Sequence, residues 1–373
     1  MGPFITENLS KRITLLQFIL SVFIVTEHTF ITAMNIPEPI YVEKIRILFS
    51  EIFAKVAVPL FFLISSFFLY SKENSFVTVL KKKSRTILLP YILWHVLYLL
   101  WVFIIQNNPI TESSAPPESR LLNYSVLDWV QAFFGHFVNN PGLDRVPYNY
   151  PLWFLRDLYI LTLLFIPIKK MIDKFPFLVL MMATLLWVSD IQLWVVAPRA
   201  LLFFISGYYI VKYNITEESV DKIRFRDVGI IYIFSIFLEL FFKDKMVVID
   251  KINVIIGIIF FIKASFYFIK DGKFYNSLVW YGKYRFIIYA FHALVLHYAI
   301  ILMNTLIPMN GGFLLLKYFS AVILTLSFCI MSGIILEKLM PKFYKILIGG
   351  RSKVQNTPAS DKSLSTPSLV PAD

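Results

Sequence analysis

The run from Arg12 to Ala33, RITLLQFILSVFIVTEHTFITA, constrains this chain more than any other stretch. About twenty apolar residues cross a bilayer as one helix at ~1.5 Å per residue. Yet the run ends in Glu27 and His28, and an ionisable group at membrane depth costs roughly 3 kcal/mol on insertion scales. Either the pair sits at the outer end of a helix and reaches headgroup water, or His28 faces a polar passage and handles protons. Other polar groups expected at a similar depth favour the second reading.

The rest of the chain repeats the pattern. It is 58% hydrophobic over 373 residues, with a mean hydropathy of +0.69, too apolar for a soluble protein of this size. The expected fold class is all-α, a polytopic helical membrane protein. Ten segments read as spans: 13–33, 49–70, 86–106, 152–168, 175–193, 195–213, 228–243, 251–269, 284–304 and 313–336. The first is too long for a removable signal peptide and lacks a small-residue cleavage site. Cys329 stands alone in an apolar run, so neither a disulfide framework nor a cysteine metal site is available.

The net charge of +12 follows from topology. With the N-terminus inside, the inner segments carry Lys11, Arg12, Lys72, the KKKSR run at 81–85 and the basic stretch from Lys338 to Lys353. The outer loops hold far fewer cations, among them Lys44, Arg145 and Arg199. This asymmetry predicts both termini in the cytoplasm and accounts for the basic balance without nucleic acid.

The longest connection, Gln106 to Tyr150, falls outside. Its second half, VLDWVQAFFGHF, has the pattern of an interfacial helix. Residues 1–350 read as one transmembrane domain and 351–373 as a cytoplasmic tail, disordered because it has little to bury. There is no Gly-rich phosphate loop and no repeat of 20–50 residues.

Charge within the spans is sparse and therefore informative. Lys55, Arg156 and Asp157 are expected near the depth of Glu27 and His28, so Glu27 or Asp157 could pair with Lys55 or Arg156, as helix glue or as part of a site. His95, His292 and His297 also lie in spans, where a lone histidine is commonly a packing residue; His136 is in the outer loop. No histidine pair shows metal-ligand spacing with a carboxylate on the same face. The KKKSR run fits the positive-inside rule, attraction to anionic lipid, or a cradle for donor phosphates.

Four stretches, in order, carry a resemblance: TLLQFILSVFIVTEHT (14–29), VAVPLFFLISSFFLY (56–70), PLWFLRDLYILTLLFIP (151–167) and IIYAFHALVLHY (287–298). Together they resemble the multi-spanning acyltransferase-3 family, which includes O-antigen, nodulation-factor and enterobacterial-common-antigen acetyltransferases. The resemblance covers Arg12 to about Arg351. It implies an enzyme of the cytoplasmic (inner) membrane that takes an acyl group, in the first instance acetyl from acetyl-CoA, and passes it to a surface or lipid-linked glycan.

It also implies roles. The family's first helix carries an arginine and, eleven positions later, an essential histidine; here these positions hold Gln17 and His28. Eleven residues bring the two onto one face ~16 Å apart, but glutamine lacks the fixed charge. Arg12 lies ~140° off that face. Ser66 stands where glycine is usual. The basic pair before the third helix carries over to Lys83 and Arg85, which with Arg12 are the expected donor-binding cations. His28, Glu27, Gln17, Arg156, Asp157 and His292 are the expected catalytic set, with no metal. His28 would act as general base or carry the acyl group. Glu27, ~100° round the helix, does not orient that ring, so Asp157 or Glu51 is the better candidate. A glycan transporter or an inactive scaffold of a polysaccharide synthesis complex would show many of the same features.

Overall fold

The computed structural model describes residues 6–29, 38–72, 75–107, 121–135, 146–191, 193, 196–242, 248–269, 272–308 and 310–351. Regular structure among them is helical throughout. His136 and the chain beyond Arg351 lie outside the described residues.

The first helix is α1 (Glu7–Glu27), capped by Thr6, whose Oγ accepts from the Leu9 amide at 3.0 Å. A continuous rod follows, from α2 (Ile40–Arg46) through a π-helical turn (Ile47–Phe53) and a 3-10 turn to α3 (Ala57–Tyr70). A second rod runs from α4 (Phe76–Lys83) through another π-helical turn (Ser84–Leu88) into α5 (Leu89–Gln106). The segment read as an interfacial helix forms a helix, α6 (Val126–Phe134), with a Ser125–Asp128 capping box.

Then come α7 (Trp153–Leu163) and α8 (Phe165–Lys174), which meet at a 63° bend. Pro167 lies four residues after Leu163 and has no N–H to give its carbonyl, a sufficient cause for the break. The chain continues through α9 (Pro176–Val188), α10 (Pro198–Lys212), α11 (Glu217–Asp221), α12 (Phe225–Phe242) and α13 (Ile249–Phe268). It closes with α14 (Gly272–Gly282), α15 (Arg285–Leu306), α16 (Leu314–Leu339) and α17 (Pro341–Leu347).

A helix therefore occupies each of the ten expected spans. Among the described residues, six helical segments are long and apolar enough to cross a membrane alone, and the bent α7–α8 pair would make a seventh. The remainder fall short for visible reasons: α9 and α10 have 13 and 15 residues, and α12 carries Arg226, Asp227 and Glu239.

No residue of α1 from Arg12 onwards is exposed, and α1 is the central helix, packed against α3, α13, α14, α15 and α16. Leu15, Leu20 and Val25 on it have almost no exposed surface. The tightest neighbouring contact joins α3 to α10. A Cβ on Gly207 would stand 2.6 Å from the Leu63 carbonyl oxygen and the Ser66 Cβ, and the Ser66 hydroxyl donates to the Phe204 carbonyl. Ser66 is thus accommodated where glycine is usual because the small residue sits opposite, on the partner helix.

Candidate functional site

The site begins at the end of α1. His28 leaves the helix with φ −94° and ψ 2°. The carbonyls freed there are met by side chains: Thr29 Oγ donates to Val25 O at 2.7 Å and Ser50 Oγ to Thr26 O at 2.6 Å. Ser50 comes from the π-helical turn, whose wider winding is a common feature of functional sites. Tyr318 of α16 closes the group at 2.7 Å from Ser50. The histidine–threonine pair therefore has a physical rationale: the threonine terminates the helix so that the histidine turns off its axis.

The His28 ring lies parallel to His292 of α15, with centroids 5.4 Å apart and an interplanar angle of 16°. It meets Tyr150 edge-on at 4.9 Å. His292 is fully buried, and its Nδ1 stands 2.8 Å from Tyr289 O and 3.1 Å from Ile288 O. Two carbonyl acceptors assign the proton to Nδ1, which leaves Nε2 a buried acceptor with no protein donor among the described residues. The Tyr289 hydroxyl donates to Pro151 O at 2.6 Å, fixing the turn that carries Tyr150 against α15.

Arg199 completes the group. It is the second residue of α10, at the positive end of that helix, and its guanidinium stacks 4.6 Å over Trp153. Its charge reaches Glu27, His28 and Asp157. Glu27, the last residue of α1, is half-buried, with Arg199 and Lys55 the cations in electrostatic reach.

Of the pairings expected between Glu27 or Asp157 and Lys55 or Arg156, the structure forms Arg156 with Asp157, while Lys55 pairs with other carboxylates. Arg156 folds back on its own neighbour, Asp157, with Nε and Nη2 at 2.9 and 2.8 Å from Oδ1. The free oxygen of Asp157 accepts from the Ala197 amide at 2.8 Å, and Arg156 Nη1 donates to Phe134 O at 2.6 Å. The pair is a latch joining the end of α6 to the start of α10, so it holds Arg199 in place and does not meet His28. Lys55 instead lies 3.9 Å from Glu239 and 3.8 Å from Asp250. Glu51, the other candidate to orient His28, lies 3.7 Å from Arg46. His292 stands in the place expected for Asp157 or Glu51.

Gln17 is half-buried on α1, with Ser21 Oγ donating to its backbone carbonyl at 2.7 Å. Arg12 makes three hydrogen bonds: Nη1 meets Asp221 at 2.9 Å, Nη2 meets Ile262 O at 2.8 Å and Nε meets Ser265 at 3.1 Å. These bonds tie α1 to α11 and α13. Lys83 lines a cavity of about 260 Å³ with Lys72, Lys82, Thr78 and Thr86, whereas Arg85 is exposed and outside that lining. His95 packs on Phe133, with its Nδ1 3.0 Å from Tyr91 O, and His297 is exposed.

Among the described residues, no three His, Cys, Asp or Glu side chains gather to hold a metal. Tyr150 and Arg199 were the residues missed from sequence. A cation directly after Pro198, at the outer start of an apolar run, is a weak signal of Arg199; nothing local marks Tyr150.

An acyltransferase domain, Acyl_transf_3, matches residues 10–334. The chain is also similar to the succinoglycan biosynthesis protein ExoH of Rhizobium meliloti (strain 1021), 23% identical over 222 residues. That match covers 58% of this chain and 57% of ExoH, little more than half of either. No solved structure matches. The domain match runs from the first turns of α1 to the last turns of α16 and takes in His28, Tyr150, Arg199 and His292: this multi-pass membrane protein belongs to the acyltransferase-3 family.

Proposed function

We propose that the protein moves an acyl group, acetyl in the first instance, from acyl-coenzyme A to a hydroxyl of a cell-surface polysaccharide or lipid-linked glycan. The observation that carries this reading is the stacked His28–His292 pair. His28 presents an imidazole at the end of the central helix, and His292 holds a parallel ring behind it. The acceptor class draws support from ExoH, whose name places it in succinoglycan biosynthesis.

In the proposed step, His28 takes the proton of the acceptor hydroxyl as its oxygen attacks the thioester carbonyl carbon. The new C–O bond gives a tetrahedral oxyanion, for which the Arg199 charge and the Tyr150 hydroxyl are the nearest stabilisers. The C–S bond then breaks. The departing sulfur takes the proton from His28 and leaves as the free thiol, returning the imidazole to its starting state. Arg156 and Asp157 act by positioning the start of α10, and the enzyme sits in the cytoplasmic membrane with the donor on the inner side.

The test is acetyl-CoA turnover by purified protein in lipid nanodiscs with a glycan acceptor. His28→Ala should lower turnover by ~10²–10⁴-fold, the range for a lost general base, at an equal amount of folded protein. Turnover unchanged in that variant would remove the histidine mechanism.

A further inference from the structure

Three cations meet at the inner end of α15 without a carboxylate. Arg351, just past α17, has its guanidinium 4.3 Å over the Phe286 ring, and its Nη1 donates to Ile348 O at 2.9 Å. Arg285 is the first residue of α15, and its Nη1 donates to Gly282 O at 2.7 Å. Lys83 lies within electrostatic reach of Arg351. The C-terminal turn is pressed against the α4–α5 rod, for a Cβ on Gly349 would stand 2.5 Å from the Thr86 carbonyl oxygen.

None of the three makes an ion pair among the described residues. The nearby Glu337 is taken by Lys283 at 2.6 Å and by the Tyr284 hydroxyl at 3.0 Å. Burial, and next the charge of Arg285, disfavour the charged form of Arg351. Converging cations without a counter-charge are costly unless an anion joins them.

We propose that Arg285 and Arg351 join Lys83, the donor-binding cation already expected, in binding the phosphates of the acyl donor, which lays its thioester arm along the groove between α5 and α15 towards His28. This rests on the donor reading given above. Arg285 and His292 are seven residues apart on one helix, ~10 Å of rise and within ~20° of two full turns. An anion held at Arg285 therefore lies below the stacked imidazoles on the same face. The arm of coenzyme A spans that distance.

The path between has room. A cavity of about 270 Å³ is lined from the inner end by Leu347 and Phe343, then Trp94 and Tyr98, and at the outer end by Asn149. Its walls are almost wholly apolar apart from Asn149, whose Oδ1 is buried without a partner. Asn149 adjoins Tyr150, the residue against His28. An amide-bearing arm offers the N–H that this oxygen lacks. The basic cavity on the far side of Lys83, with Lys72 and Lys82, extends the positive surface for a donor that carries several phosphates.

The experiment measures binding of radiolabelled acetyl-coenzyme A and of S-acetylpantetheine, which lacks the phosphates, to the full chain in nanodiscs. Arg285→Gln and Arg351→Gln should each weaken acetyl-CoA binding about tenfold, leave S-acetylpantetheine binding unchanged and flatten the salt dependence. Arg351→Lys should restore part of the loss, and His28→Ala should bind acetyl-CoA as wild type does. Wild-type binding that both Gln variants reproduce would overturn the cluster and leave the donor reading standing. Absence of acetyl-CoA binding to the wild type would overturn both.

Discussion

At the residue scale, the pairing of His28 with His292 separates orientation from proton handling. The Nδ1–H of His292 is held by two backbone carbonyls, so its ring is a fixed plate against which His28 stacks. Replacing it by phenylalanine keeps the plate and removes Nε2. His292→Phe should therefore retain the fold and thermal midpoint within a few degrees while lowering turnover by about tenfold to a hundredfold, measured as acetyl-CoA hydrolysis and transfer. Turnover at the wild-type level would reduce His292 to packing. His28 itself was legible in the sequence because an imidazole at the end of a twenty-residue apolar run is expensive. Of its neighbours, His292 was expected through the resemblance alone and Tyr150 not at all. Tyr150 and His292 lie 122 and 264 positions away in the chain, and only the packing of α15 on α1 brings them together. Arg351 was hidden by a true generalisation, since any cation at that end of the chain satisfies the positive-inside rule.

At the element scale, helix ends and close approaches decide what the long apolar runs leave open. Every expected span has a helix, because periodicity and apolar length report burial directly. Breaks in winding leave no such trace: the π-helical turn at Ile47–Phe53 that delivers Ser50, and the bend between α7 and α8, depend on partners elsewhere. The Arg156–Asp157 latch shows the same limit, because two adjacent charges matched in depth to Lys55 turned to each other. The α3–α10 contact gives the sharpest element-level prediction. Any side chain at Gly207 meets backbone on α3, which cannot move aside as a flexible side chain would. Gly207→Val should destabilise by roughly 1–3 kcal/mol, as overpacking does, seen as a lower thermal midpoint in detergent and as reduced membrane yield. A variant as stable as wild type would mean that the helices slide apart without loss.

At the scale of the whole molecule, the charge asymmetry predicts an orientation with both termini in the cytoplasm. The surfaces given to α6 and to Lys338 should then be reached from opposite sides. Cys329 is the chain's one cysteine and is buried, so a Cys329→Ala background accepts single reporters. Cysteine at Asp128, on α6, should react with a membrane-impermeant maleimide in intact cells. Cysteine at Lys338 should react only after the cells are opened. Labelling of the Lys338 cysteine from outside and of the Asp128 cysteine only after opening would invert the orientation and with it the side from which the donor enters.

The floor of the bundle beneath Trp94 is laid last. Trp94 Nε1 donates to the Leu347 carbonyl at 3.2 Å, a bond between residues 253 positions apart, and Gly349 seats its turn on Thr86 with φ +62°, where a side chain would be both strained and crowded. During synthesis the lower end of α5 must wait for nearly all the described chain before its indole finds an acceptor. Ribosomes stalled within the last helices would thus leave a bundle in which the His28 end is assembled but the end beneath Trp94 stands open.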